Sequence, residues 1–169
     1  ARRHPIAVMI DDHLDARPQS GFNSAAIVWQ APAEGGIPRY MLVFQDTIPK
    51  AVGPIRSARE YFVEWAAEYR AMYVHAGGSP QAISTLRASG NGSLVYNAEG
   101  LRFDGSFLFR VGFRFAPHNL YTDGSELHAL QGFLHVGDGT VKSIWSFQRN
   151  SRDAERPRPG SITVSFLPK

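Results

Sequence analysis

The sequence predicts an α/β fold: a mixed, partly parallel sheet with helices packed against it. Two observations carry this expectation. Apolar runs of strand length stand at Pro5–Asp11, Ala25–Gln30, Arg39–Gln45 and Met72–His75. Helix-period stretches follow the third and fourth of these runs, and strands that alternate with helices favour layered α/β folds.

Pro5–Asp11 (PIAVMID) is continuously apolar up to its terminal carboxylate, the pattern of a strand buried on both faces. Asp12–Gly21 is polar, holds Pro18 and Gly21, and reads as a loop. Ala25–Gln30 is a second strand. Pro32, Gly35, Gly36 and Pro38 mark the turn into a third, Arg39–Gln45. Ser57–Arg70 is the clearest helix: Ser57 and Glu60 have capping-box spacing, and Tyr61, Trp65 and Tyr69 form one apolar stripe beside Phe62 and Ala66. Met72–His75 is a strand. Gly77 and Gly78 follow it, and then a helix to about Ala88 with Ser79 as N-cap and Pro80 in its first turn. Residues 89–116 are rich in glycine and yield only a strand near Phe107–Phe109. Asp123–Glu126 caps a third helix to Gln131, and Ser143–Phe147 reads as a strand. These elements make one domain over residues 1–148. A linker with Pro157 and Pro159 covers 149–160, and 161–169 is the first strand of a further, truncated domain.

Bulk composition narrows the function classes. With 169 residues, 43% hydrophobic and 20% charged, the chain has an ordinary globular balance. It has no Cys, which excludes thiolate chemistry and Cys-based zinc sites. Its net charge is +3 and its arginines are scattered, without the basic stripe that tracks a phosphate backbone, so nucleic acid is not the expected partner.

Four groups of residues are candidates for chemistry. Arg56, Ser57 and Arg59, at the expected start of the first helix, would clamp an anion; alternatively Ser57 only caps and the arginines pair with Glu60 or Asp11. Gly77, Gly78 and Ser79 join a strand to a helix, where backbone N–H groups can meet a ligand; alternatively they form a tight turn with two positive-φ residues. His75 ends a strand beside those glycines, and the loop holding His118 and Asn119 could bring His118 alongside; a lone histidine is otherwise a structural hydrogen-bonder. Asp11, Asp12, His13 and Asp15 cluster after the first strand, where ligands of α/β sheets bind. Asp11 there is a candidate general base, and the cluster has the donors for a divalent cation. The favoured alternative is turn capping with a pair to Arg17, and no metal or cofactor is assigned.

Five segments together resemble the YerB-like family of bacterial envelope lipoproteins: Pro5–Gly21 (PIAVMIDDHLDARPQSG), Glu34–Arg39 (EGGIPR), Val52–Phe62 (VGPIRSAREYF), Val74–Ala82 (VHAGGSPQA) and Ala116–Thr122 (APHNLYT). The resemblance spans residues 4–147 and departs from the family pattern at Asp12 and Gln30. It implies an extracytoplasmic protein, membrane-anchored in the full-length member through a lipid that this chain does not carry. It implies no agreed activity. The leading expectation is a module that binds an anionic or glycan-bearing envelope ligand, with Arg17, Arg56, Arg59, His75, Ser79 and His118 around one cleft. The alternatives are a module docking other envelope proteins, and a hydrolase or transferase of phosphorylated envelope precursors with Asp11 or His75 as base and Arg56 and Arg59 stabilising negative charge.

Overall fold

A computed structural model of the chain describes residues 3–45, 47, 49–137 and 152. The expected strand at 143–147, the linker apart from Arg152, and the strand opening a further domain lie outside the described residues.

The sheet is mixed, as the sequence predicts. Five strands, β1 (Ile6–Asp11), β2 (Ile27–Pro32), β3 (Pro38–Phe44), β4 (Met72–His75) and β5 (Tyr96–Glu99), stand in the order β2-β3-β1-β4-β5. β1 is central and every residue in it is buried, which explains its unbroken apolar run. It pairs antiparallel with β3 and parallel with β4, and β4 pairs parallel with β5.

Alternate residues of these strands feed two cores. Ala7, Met9, Met41, Val43 and Tyr73 face the helices α1 (Glu60–Glu68) and α2 (Pro80–Ala88), meeting Phe62, Val63, Ala66, Ala82 and Leu86. Ile6, Val8, Ile10, Leu42 and Val74 face the other layer. That layer holds α3 (Gly124–Phe133) through Leu127 and Leu130, and also Leu108 and Leu120, of which Leu108 precedes β6 (Phe109–Arg110) and Leu120 lies in its short antiparallel partner β7 (Leu120–Tyr121). None of the described helices is long and apolar enough to cross a membrane.

The sequence misplaces the start of α1. Its N-cap is Arg59, with no side-chain cap bond, and the Ser57/Glu60 capping box does not form. Residues 54–58 instead stay extended and wedge between the ends of β1 and β4. Asp11 N–H donates to the Pro54 carbonyl, Arg56 N–H to Met9, Ala76 N–H to Arg56 and Ala58 N–H to Gly77. Four sheet-type bonds outweigh the one side-chain bond of a cap. Glu60 Oε1 accepts from Thr85 Oγ of α2 instead, at 2.7 Å. In the stripe on α1, Phe62, Val63 and Ala66 carry the burial with Tyr69 just beyond, while Tyr61 and Trp65 sit at the rim and Trp65 stacks on Trp29 of β2.

Glu34 ties the β2–β3 turn to the start of α1. Its carboxylate takes both ends of the Arg59 guanidinium and lies 3.6 Å from Arg39, and these hydrogen bonds hold its pKa at about 2. A carboxyl depressed from 4.5 contributes stability that is complete above that value and lost as pH falls through about 2. Because the Glu34 side chain is 65% exposed, the contribution is screened. Glu34→Gln should cost about 1 kcal/mol at neutral pH. It should also flatten the stability profile in the acid limb between 4.5 and about 2, which urea melts at a series of pH values would measure.

Candidate functional site

The site grows from the end of β1. Asp11 is 3% exposed, yet its carboxylate is fully engaged. Oδ1 accepts the His13 backbone N–H at 3.1 Å, and Oδ2 accepts His118 Nδ1 at 2.7 Å. Arg56 Nε lies 2.9 Å from the same Oδ2, an ion-pair contact whose N–H is out of line for a hydrogen bond. A carboxylate is acceptor-only, so His118 donates from Nδ1 in this contact, and its Nε2 takes no part in it. Asp12, also buried, accepts from Arg17 Nε at 2.9 Å and from Gln19 Nε2 at 2.8 Å; Gln19 also donates to the Asp11 carbonyl. Burial, with the Asp12 charge next, raises the pKa of the Tyr40 phenol.

Two loops distant in sequence close over this knot. Arg114, between β6 and β7, donates to the Asp15 and Pro18 carbonyls at 2.5 and 2.8 Å. The His13 and His118 rings stack with centroids 4.9 Å apart. Beside the knot opens a cleft of about 310 Å³ lined by Ile55, Arg56, Ala76, Leu101, Arg110, Ala116, Pro117 and Leu120. Arg110 is steadied by Asp104 at 2.7 Å and Asn119 at 2.8 Å. The terminal nitrogens of Arg56 and one terminal nitrogen of Arg110 meet no hydrogen-bond acceptor among the described residues. A wider depression formed by Gln19–Ser24 and Pro49–Ala51 offers only Lys50 as a charged group.

The candidates therefore divide. Asp11, Arg17, Arg56, His118 and Asn119 gather at the knot and its cleft, and the anticipated pairings of Arg56 with Asp11 and of Arg17 with the acidic cluster form. Ser57 and Arg59 do not form an anion clamp at the helix start: Ser57 lies in the wedge, its carbonyl accepting from Arg39, and Arg59 is held by Glu34. His75 is fully buried, with Nδ1 at 2.8 Å from the Gly77 carbonyl and Nε2 at 2.8 Å from Asn97 Oδ1, the environment of a structural hydrogen-bonder. Gly77 N–H is taken by Glu99. Only Gly77 of the glycine pair has positive φ; Gly78 is small because a Cβ would meet Ile83 and Ala58 at 3.0–3.3 Å. Ser79 caps α2 as predicted. Gln30 is exposed and bonds Tyr40. Sequence reasoning missed Arg110, Arg114 and Gln19. The two arginines stand in the segment without periodicity, and Gln19 in a loop that resembled only a connector.

An α/β domain whose central strand ends in a buried Asp–Arg–His knot beside an arginine-lined cleft is the class that this fold and site define. The chain belongs to the family described as "Protein of unknown function (DUF3048) N-terminal domain", whose profile matches residues 1–134. It is 47% identical over 120 residues to "Putative lipoprotein YerB" of Bacillus subtilis (strain 168), an alignment covering 71% of this chain and 35% of that protein. It also superposes on the crystal structure of the YerB protein from Bacillus subtilis with a TM-score of 0.80 and 38% identity, over 88% of this chain and 50% of that one. The chain thus spans between about a third and a half of the relatives it matches.

Proposed function

We propose that this domain binds an anionic ligand of the bacterial cell envelope, phosphorylated or glycan-bearing, in the cleft between Arg56 and Arg110. One observation carries the reading: two guanidiniums with donors to spare border a cleft whose other lining residues are apolar. That combination suits a charged headgroup joined to an apolar or ring-bearing body. Asp11 and Asp104 fix the guanidiniums in place, so little side-chain entropy remains to be lost on binding. The relative's description as a lipoprotein supports an extracytoplasmic, membrane-tethered setting, where such ligands are concentrated. A catalytic role draws less support, because Asp11 and His75 are both buried and both held by protein partners.

Isothermal titration with farnesyl phosphate, farnesol and a muropeptide tests the reading. Saturable binding of a charged probe, with farnesol inert, is expected. Arg110→Ala should weaken it about 10- to 100-fold, the loss of a charge-assisted hydrogen bond, while Arg87→Ala on exposed α2 leaves it unchanged. Equal affinities in all three proteins would contradict it. A second reading, docking to another envelope protein, is favoured by Phe113 and Phe115, which are 74% and 93% exposed on the β6–β7 loop. It predicts no binding of any of these probes.

A further inference from the structure

We propose that His13, Asp15 and His118 form a Zn²⁺ site at the mouth of the knot, where the sequence offered cation donors but assigned no metal. One ligand atom from each lies within 4.8 Å of the other two, and the donor set is two imidazoles and one carboxylate. That set suits a borderline transition-metal ion rather than Ca²⁺ or Mg²⁺, which take oxygen ligands. His13 Nδ1 and Asp15 Oδ2 are 3.4 Å apart. Two ligands of a tetrahedral ion at about 2.0–2.1 Å stand about 3.3 Å apart, so the pair has the required bite, and an ion bound there displaces the Asp15 backbone N–H that His13 Nδ1 accepts at 3.2 Å. Because Nδ1 of His118 is bonded to Asp11, Nε2 is the nitrogen it would offer the ion.

Two further observations show that the arrangement is built. The Asp11–His118 hydrogen bond of 2.7 Å is the carboxylate–histidine contact that fixes tautomer and ring direction behind a metal ligand. Arg114 independently holds the loop bearing Asp15 against the loop bearing His118 through two backbone carbonyls. His118 is mostly buried while His13 and Asp15 reach solvent, so an ion would enter from outside. Three protein ligands leave a coordination position open, as in zinc sites that bind a water or an exogenous anion. The inference is independent of the anion cleft, because the ion needs neither Arg110 nor a ligand.

The test uses the untagged 169-residue chain, stripped with chelator, and Co²⁺ as a spectroscopic stand-in for Zn²⁺. One equivalent of Co²⁺ should give visible d–d bands of low coordination number, displaced stoichiometrically by Zn²⁺. His13→Ala and Asp15→Ala change solvent-facing side chains and should keep the far-ultraviolet dichroism while abolishing the bands. Asp11→Asn should weaken Zn²⁺ binding about 10- to 100-fold. His128→Ala, on α3, should change nothing. Absence of the bands in the wild-type chain, or bands that persist in folded His13→Ala and Asp15→Ala, would overturn the proposal. Metal binding without binding of farnesyl phosphate, or the reverse, would separate it from the cleft reading.

Discussion

Asp11→Ala is expected to lower the melting temperature by about 10 °C or more, from a loss of about 3–5 kcal/mol. The side chain itself contributes little apolar packing, so the loss comes from the groups left behind. Arg56 would keep its charge with its paired carboxylate gone, and the His118 Nδ1–H and the His13 backbone N–H would each lose an acceptor. Removing one member of a buried charged network costs more than the network contributes when whole. Asp11→Asn should cost less, because the amide oxygen can still accept from His13 N–H while the ionic contact with Arg56 is lost. Differential scanning calorimetry of the three proteins would measure the order wild type, Asn, Ala. Equal stability for Ala and wild type would mean that the knot is solvated and not an organising centre.

Gly53→Ala is the second large effect, with an expected cost of about 3 kcal/mol or more. Gly53 has φ +156°, and a Cβ there would stand 2.6–2.9 Å from three atoms of the Tyr121 ring. That ring belongs to a residue only 2% exposed, so it cannot swing out of the way. The backbone cannot yield either: Gly53 exchanges hydrogen bonds with Ser20, and neighbouring Val52 with Thr122. This segment leads directly into the wedge that carries Arg56, so displacement here should also disturb the cleft. Gly35→Ala is the matched comparison. It too has positive φ, +67°, but nothing lies within 4 Å of its added Cβ, so only the backbone cost of about 1 kcal/mol applies. Chemical denaturation of both variants should show this separation. Similar costs at the two glycines would show that backbone conformation rather than the Tyr121 contact dominates.

The elements legible in the sequence are those whose burial is written as an apolar run. β1, β3 and β4 were found within a residue or so because they occupy the middle of the sheet. α2 and α3 were legible from their N-caps, Ser79 and Asp123, both of which accept the expected backbone N–H groups. β5 was missed because only Ala98 of its four residues is buried. The strand expected near Phe107–Phe109 overlaps β6 only at Phe109, and β7 was missed, because each is two residues long and too short to show a period. The start of α1 misled because Ser57 and Glu60 mimic a cap, while the pairing that keeps Ala58 extended depends on Gly78, far along the chain.

The site was legible as a set of residues and illegible as a geometry. Asp11, Arg17, Arg56 and His118 could be named because they stand in segments shared with a family. Their division from Arg59, His75 and Ser79 could not be foreseen. Asp11 and His118 are 107 positions apart, and Arg59 reaches Glu34 across 25. Such pairings follow from sheet order and loop docking, which no local pattern encodes. Arg110 lay hidden for the same reason: its neighbours in sequence carry no period, and only the β6–β7 pairing turns it toward the cleft.

The most direct test of the central claim is residue-resolved NMR of the ¹⁵N-labelled chain titrated with farnesyl phosphate. Saturable shifts are expected at Ile55, Arg56, Arg110 and Leu120, with the Arg56 and Arg110 side-chain Nε–H signals moving most and those of Arg59 unmoved. Shifts confined to the exposed Phe113–Phe115 loop, or no saturable shifts at millimolar probe, would contradict it.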